Sequence, residues 1–423
     1  MKRIGNVYEK ITSLDNCIEA VKNATRYKRK RNRPETKVFD YTVNRHYYGY
    51  LVSEMLKNKA FVPSEPNHFF IEEGIKKKKR EIYAPKLFPD QIVHWAIIQV
   101  IGPMILNSFY EYSCGSLPNR GPSLVRKYLT NKLAIDTEHH KKVRSIYKYC
   151  LKLDIHHFFQ SINRDIMMNI LESKFKDRDL LHLLRSIIYM PNTGTGLPIG
   201  FYTSQWMANL YLDKFDHWLK SRLAKDFEDS IYIRYVDDLV IVASNKRKLL
   251  RIKEEISEYL KTNLDLTLKY DTDDQIFDIG KRPIDFIGFK FTYGKTTTRN
   301  SIFRNAIKSE KRLNSSRYTI RGLSSVISYN GWLNSSKCHM EKERLYSHSD
   351  DFYKDHLREK QKENKYMNHI RSLEAVNKFR NSMVAKAVTE YEENGCIVKT
   401  ELIRNEQGIY EFKIVERIPL NAI

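Results

Sequence analysis

The chain has 423 residues, 41% of them hydrophobic, and Lys+Arg 73 against Asp+Glu 51 leaves a formal net charge of +22. That length accommodates about two to four structural units with a sizeable core, and the cation excess favours a polyanionic partner through counterion release, although a ribosome-associated or membrane-surface protein would look similar on charge alone. Cys17, Cys114, Cys150, Cys338 and Cys396 lie far apart with no C-x-x-C pair, which excludes a disulfide framework and a cysteine zinc site and suits a reducing compartment.

MKRIGNVYEK at the start lacks the apolar run of a signal peptide. Residues 1–65 read as a basic, mostly helical extension. It contains RYKRKRNRP at 26–34, where Tyr27 interrupts the cations; phosphate contact and a solvated face are both open readings there. Residues 66–90 predict a short hairpin, with Gly74 and a lysine run between apolar stretches. An apolar-periodic helix follows from Pro89 to about Ser108. Its core, Ile92 to Leu106, is interrupted by His94, Gln99, Gly102 and Pro103 and is too short to span a bilayer.

From 147 to 300 strand-like and helix-like segments alternate. YKYCLKLDI predicts a strand, 164–190 a helix and 204–223 another helix. IYIRYVDDLVIVAS predicts a strand pair broken by two aspartates, and 245–262 a charged amphipathic helix. RPIDFIGFKFTYGKTTTR predicts a hairpin around Gly294. The mixture implies an α+β fold, a sheet covered by helices. Residues 300–345 carry Arg and Lys at helical periods, about 350–380 is charged and helical, and the end reads as a hairpin of two exposed strands around Gly408.

The chemistry centres on Tyr235-Val236-Asp237-Asp238, set between apolar strands. Adjacent carboxylates at the end of a buried hairpin repel one another and raise each other's pKa. A divalent cation is the simplest compensation, and oxygen-only ligands select Mg2+ or Mn2+. The plain alternative is a pair of turn aspartates, since Asp is a common turn residue. A third carboxylate, Asp154, closes the strand KLDIHHFFQSIN. Two ions about 4 Å apart, clamped by carboxylates of neighbouring strands, would activate a primer 3′-hydroxyl and stabilise a pyrophosphate leaving group.

Together these motifs resemble those of reverse transcriptases. Asp154 with FFQSI is similar to motif A and YVDD to motif C. GLPIGFYTSQWMANLYLDKFDHWL (196–219) resembles motif B, and DFIGFKF (285–291) the hairpin that grips the primer end. With NRGPS (119–123) in the finger-to-palm position, the resemblance covers about 70–330 in the family's order. It implies a right-hand polymerase with fingers and palm at 66–296, a helical thumb at 297–350 and an extension over 351–423.

The roles it implies are these. Asp154, Asp237 and Asp238 hold two Mg2+ ions, with Mn2+ as a substitute. Phe159 is the steric gate that prefers dNTPs, while Phe158 suits the core. Lys79 and Arg80, beside Lys76 to Lys78, meet the triphosphate, and Gly200, Ser204 and Gln205 form motif B's nucleotide contact. Lys269 is the candidate general acid for pyrophosphate. Phe286, Gly288 and Phe289 make the primer grip. Arg299, Arg304, Lys308, Lys311 and Arg312 put cations on one thumb face against nucleic acid. The chain departs from retroviral relatives at Ile199, where they carry Gln. His156 and His157 stand where many relatives have an acidic or basic residue; contact with the triphosphate and a solvent-facing position are both open, the second being the expectation. No RNase H-like carboxylate set and no HNH-type Cys/His cluster is found.

SIFRNAIKSEKR, FYTSQWMANLYL and the long C-terminal extension resemble bacterial defence-associated reverse transcriptases, with diversity-generating retroelement enzymes as the sibling group. The resemblance implies a bacterial cytoplasmic enzyme with no membrane partner. It would copy a structured noncoding RNA encoded beside it into cDNA in antiphage defence. Template-independent or protein-primed DNA synthesis and a catalytically silent RNA-binding scaffold stay open, as do oligomeric state and priming.

Overall fold

The computed structural model describes residues 3–26, 28, 36–73, 78–135, 140–269, 275–315, 318–336, 348–349 and 351–363, and the strands within 388–419. Most of the basic run at 26–34 and Lys76 and Lys77 lie outside the described residues. Helices α1 (Tyr8–Thr12), α2 (Leu14–Thr25), α3 (Lys37–Val43) and α4 (Arg45–Lys57) precede an antiparallel hairpin of β1 (Asn67–Glu73) and β2 (Lys78–Ala84). Helix α5 (Ile92–Leu106) is apolar almost all round, so it is buried rather than half-buried. Val7, Ile11, Val21, Val52 and Leu56 pack into the same core as Ile97 and Ile101. The side chains of Asn16 and Gln99 also bond across α2 and α5. The described N-terminal helices therefore share one core with α5.

The centre is a five-stranded sheet in the order β3-β5-β6-β4-β7. Strand β3 (Ser113–Cys114) leads to α6 (Pro122–Lys132) and α7 (His140–Ile146), and β4 (Tyr149–Asp154) to α8 (Phe158–Ser161), α9 (Arg164–Lys174) and α10 (Arg178–Ile188). After α11 (Tyr202–Tyr211) and α12 (Asp213–Asp226) come β5 (Ile231–Tyr235), β6 (Asp238–Ala243), α13 (Lys246–Leu264) and β7 (Ile276–Asp278). Within this sheet only the β3–β5 pairing is parallel. Leu151, Leu153, Leu239 and Ile241 enter the first core, while Cys150, Ile233, Val240 and Val242 enter a second. Both sheet faces are thus covered, which is why these strands read as continuous apolar runs instead of alternating ones.

Three expected elements divide. The 164–190 helix breaks at Phe175, whose backbone is extended, and restarts where Asp177 caps Leu180 N–H; the same carboxylate accepts from Val7 and Tyr8 N–H. The 204–223 helix is α11 and α12, separated at Leu212. The hairpin around Gly294 is a three-stranded meander, β8 (Ile284–Phe286), β9 (Phe289–Thr292) and β10 (Lys295–Thr298). Its extra turn, Ile287-Gly288, has φ of 45° and 88°, the positive pair that a tight hairpin turn requires.

Helices α14 (Asn300–Ser315) and α15 (Ile320–Asn334) share a small core of Ala306, Leu313, Leu323, Val326 and Leu333. Tyr353, in a helical stretch over 351–363, joins that core and donates to Glu310 at 2.6 Å. The stretch over 351–363 therefore packs with α14 and α15. Residues 364–380 lie outside the described residues. The C-terminal strands β11 (Val388–Glu393), β12 (Cys396–Arg404) and β13 (Tyr410–Pro419) form a three-stranded antiparallel sheet, one strand more than expected. Among the described residues no helix is long and apolar enough to cross a membrane.

Candidate active site

Strand register gathers the carboxylates. Asp154 ends β4 directly opposite Asp238, the first residue of β6, and Tyr235 at the end of β5 also pairs with Asp238. A two-residue turn, Val236-Asp237, closes β5 and β6. The N–H of Ile155 donates to the Asp237 carbonyl at 3.1 Å, tying the turn to the neighbouring strand. Val236 has φ of +59°, a conformation costly for a β-branched residue. Its N–H donates to the Cys114 carbonyl at 2.9 Å. Gly115 leaves the space that Val236 fills, since a Cβ there would come within 2.5 Å of the valine Cγ2.

Burial, then the charges of Asp238 and Asp154, push the Asp237 carboxyl up to about 6, with Arg80 opposing. Burial also raises Asp238, against Lys152, Lys269 and Arg299. Lys269 Nζ lies 3.0 Å from Asp154 Oδ2. Among the described residues no three acidic, His or Cys side chains converge tightly enough to hold one ion as they stand. Lys152, Lys269 and Arg299 offset part of the negative charge of the carboxylates. Their all-oxygen donor chemistry fits a hard divalent cation.

The triad faces a cavity of about 900 Å³ whose lining includes Lys79, Arg80, His156, His157, Phe159 and Lys269. Lys79, Arg80, His156 and His157 are exposed. Phe158 is buried in the first core, while Phe159 is half-buried at the cavity wall. Behind Phe159 runs the glycine-rich loop before α11. Leu197 N–H donates to the Phe159 carbonyl at 2.7 Å, and a Cβ at Gly196 would collide with that carbonyl. Arg164 pins the loop by donating to the carbonyls of Gly196 and Gly194, both at 2.7 Å. Tyr83 N–H in β2 donates to the Ile199 carbonyl at 2.8 Å, so the first hairpin and this loop form one wall.

Other expected contacts lie elsewhere. Ile199 lines the cavity, but Gly200, Ser204 and Gln205 do not. Gly200 sits against the Tyr83 backbone and Ser204 is 2% exposed, because α11 turns it toward the core. The rings of Phe286 and Phe289 are buried in the second core, and Gly288 lies under Trp332 and Ile302. Strand alternation sends the two phenylalanines inward and leaves Asp285 and Lys290 on the other face of the hairpin, while Ile287 in the turn packs against the same core. Arg299 is held by Asp285 at 2.6 Å, whereas Arg304, Lys308, Lys311 and Arg312 are exposed at helical spacing on α14.

Three residues went unread in the sequence. Lys152, two positions before Asp154, reaches the Asp285 carbonyl at 2.9 Å and lies close enough to oppose the rise of the Asp238 pKa. Arg164 pins the loop behind Phe159. Arg234 is fully buried beside Asp216 beneath the YVDD turn. A cation inside the otherwise apolar IYIRY was the available signal for the last, since a buried charge requires a partner.

The family described as reverse transcriptase (RNA-dependent DNA polymerase) matches residues 75–291. A putative COX1/OXI3 intron 2 protein of Saccharomyces cerevisiae is 21% identical over 263 residues, covering 47% of this chain and 29% of that protein. The retron Ec73 reverse transcriptase of Escherichia coli is 27% identical over 244 residues, 51% of this chain and 70% of that protein. The solved apo telomerase of Candida tropicalis overlays with a TM-score of 0.45 at 13% identity, covering 70% of this chain and 61% of that one.

Proposed function

This chain belongs to the reverse transcriptase (RNA-dependent DNA polymerase) family, and from that premise we propose that it extends a primer on an RNA template with dNTPs, using divalent cations held by Asp154, Asp237 and Asp238. The observation that carries this reading is the cross-strand register of Asp154 and Asp238 beside Asp237, at the wall of a cavity that Lys79 and Arg80 also line. The family uses divalent metal ions, and the oxygen donors here suit two Mg2+ ions, with Mn2+ as a substitute. Bound there, they would supply acidity at the primer 3′-hydroxyl and charge stabilisation at the departing pyrophosphate.

The chain's own residues do the remainder. Lys79 and Arg80 neutralise the incoming triphosphate from the hairpin side of the cavity, as cations over a transferring phosphoryl group do. Phe159 crowds the position of a 2′-hydroxyl and so selects dNTPs. Lys269, held beside Asp154, supplies a proton to the leaving pyrophosphate. Arg304, Lys308, Lys311 and Arg312 follow the phosphates of the template–primer duplex.

The finer reading is a bacterial cytoplasmic enzyme that copies a structured noncoding RNA encoded beside it, in defence against phage. Its support is the thumb start SIFRNAIKSEKR, the FYTSQWMANLYL form of motif B and the likeness to a bacterial retron enzyme.

Purification from the native host, followed by sequencing of bound nucleic acid beside the Asp237→Asn/Asp238→Asn variant, tests both levels. A discrete RNA in both samples, with complementary DNA only in the wild type, is expected. DNA without complementary RNA would replace this reading with untemplated or protein-primed synthesis, and no DNA at all would leave an RNA-binding scaffold.

A further inference from the structure

Arg234 is a fully buried charged side chain two residues before the turn that carries Asp237. Its Nε and Nη2 donate to Asp216 in α12 at 2.8 and 2.6 Å. Its Nη1 donates to Asn209 Oδ1 in α11 at 3.1 Å and to the Val236 carbonyl at 2.8 Å. Asp216 also accepts from Ser113 in β3 and Tyr232 in β5. Asn209 in turn donates to the Gly115 carbonyl at 3.2 Å, beside the cradle that receives Val236. Helix α11, helix α12 and the β5–β6 turn therefore meet on one guanidinium, with β3 joined through Asp216, and one of its donors reaches the peptide bond just before Asp237.

A buried ion pair does not by itself argue for stability, because packed apolar residues of similar volume often serve as well. The pair is better explained by what else it touches. Val236 sits at φ +59° in the first position of a two-residue turn, where glycine is the usual residue. Such a backbone persists only when its surroundings over-determine it. Here both polar groups of the Val236 backbone are engaged, the N–H by Cys114 and the carbonyl by Arg234. Only the planar fork of arginine can grip Asp216 with one edge and the turn with the other; a lysine ammonium is a single point on a flexible stem.

We propose that the Arg234–Asp216 pair is a positioning device that holds the Val236 carbonyl, so that the strained turn presents Asp237 and Asp238 toward Asp154. Its use for metal binding rests on the polymerase reading above; its control of the turn does not. Arg234 touches no reacting atom and acts through the backbone it holds.

The test uses the full chain as Arg234→Lys and as the double variant Arg234→Met/Asp216→Leu, the second leaving no unpaired charge in the interior. Hydrogen–deuterium exchange of the metal-free proteins should quicken roughly tenfold in the peptide spanning Val236–Leu239, and stay near wild type elsewhere in β4 and β6. Mn2+ affinity, read by electron paramagnetic resonance, should fall roughly tenfold, the size of effect seen when groups behind metal ligands are removed. Polymerase kcat should fall with KM for dNTP little changed. Wild-type exchange in the turn and wild-type Mn2+ affinity in a cooperatively folded variant would overturn the proposal. Loss of cooperative unfolding in both variants would also overturn it, because the pair would then serve the fold and not the turn. If the wild type itself bound no Mn2+, the metal reading would fail while the exchange result still judged the tether.

Discussion

Lys269 and Asp154 are joined twice: Lys269 Nζ stands 3.0 Å from Asp154 Oδ2, and the lysine N–H donates to the carbonyl of the same aspartate at 2.8 Å. The backbone bond extends the pairing of β4 beyond its last residue, so the lysine's place beside the carboxylates follows from strand register. If Lys269 is the proton donor to pyrophosphate, Lys269→Met should lower kcat by about a hundredfold, the lower range for general acid catalysis, and shrink the solvent deuterium isotope effect. A variant with lower Mg2+ requirement and an unchanged isotope effect would make Lys269 a counter-ion to Asp154 only.

Asp237 ties activity to stability. Its carboxyl, pushed up to about 6 from an ordinary 3.8, favours the protonated form in the folded chain. Its stabilising contribution is therefore complete below pH 3.8 and is lost as pH rises through about 6. In EDTA, Asp237→Asn should be more stable to unfolding than wild type at pH 7.5, by on the order of 1 kcal/mol, with the gap closing toward pH 4. Mg2+ should raise the melting temperature of the wild type and not of the variant. A gap that stays constant with pH would remove the shifted carboxyl from this account.

The adjacent phenylalanines separate selectivity from stability. Phe159→Ala should reduce discrimination between dNTP and rNTP, measured as the ratio of kcat/KM values, by roughly tenfold or more, with a modest change in stability. Phe158→Ala should cost about 3–5 kcal/mol in urea unfolding, as loss of a buried aromatic does, and leave that ratio alone. The opposite pattern would exchange their roles.

Gly200 is a joint between the hairpin and the loop before α11. With φ of +120° and the Tyr83 carbonyl 2.4 Å from where a Cβ would stand, it cannot take a side chain without movement. Gly200→Ala should destabilise the protein by about 1–3 kcal/mol or more. It should also raise KM for dNTP, because Lys79 and Arg80 ride on the strand that is displaced. Unchanged KM in a destabilised variant would uncouple the hairpin's position from nucleotide binding.

The α14 cations predict a salt law. Replacing both Arg304 and Lys308 with Ala should weaken binding of an RNA–DNA duplex at all sequences. The slope of log K against log[salt] should fall by about one for each phosphate that is no longer neutralised. An unaltered slope would take this helix face out of the duplex path.

Much of this could be read along the chain, and the reason is local. The apolar runs around YVDD and in α5, the glycine-flanked turns and the helical periods of α13 and α14 are properties of neighbouring residues, and neighbours determine period, turn and cap. Asp237 and Asp238 are joined covalently, so their mutual repulsion needs no tertiary contact. The second hairpin turn at Ile287-Gly288, the break at Phe175 and the third C-terminal strand were misread because short elements differ from their neighbours by one or two residues.

By itself, then, the sequence determined which residues carry charge and hydrogen bonds, and in what order they come: the three aspartates, the cations of β2 and α14, the aromatic pair after Asp154. Tertiary structure alone decided which of them meet. Strand register set Asp154 against Asp238 and Lys269 beside both. Packing sent Phe286, Phe289 and Ser204 inward and left Phe159 at the cavity wall. It also merged the N-terminal helices into the first core and brought Asp216 under Arg234. Those outcomes depend on contacts between segments far apart in the chain, where the energy of a side chain is set by what surrounds it and not by what precedes it.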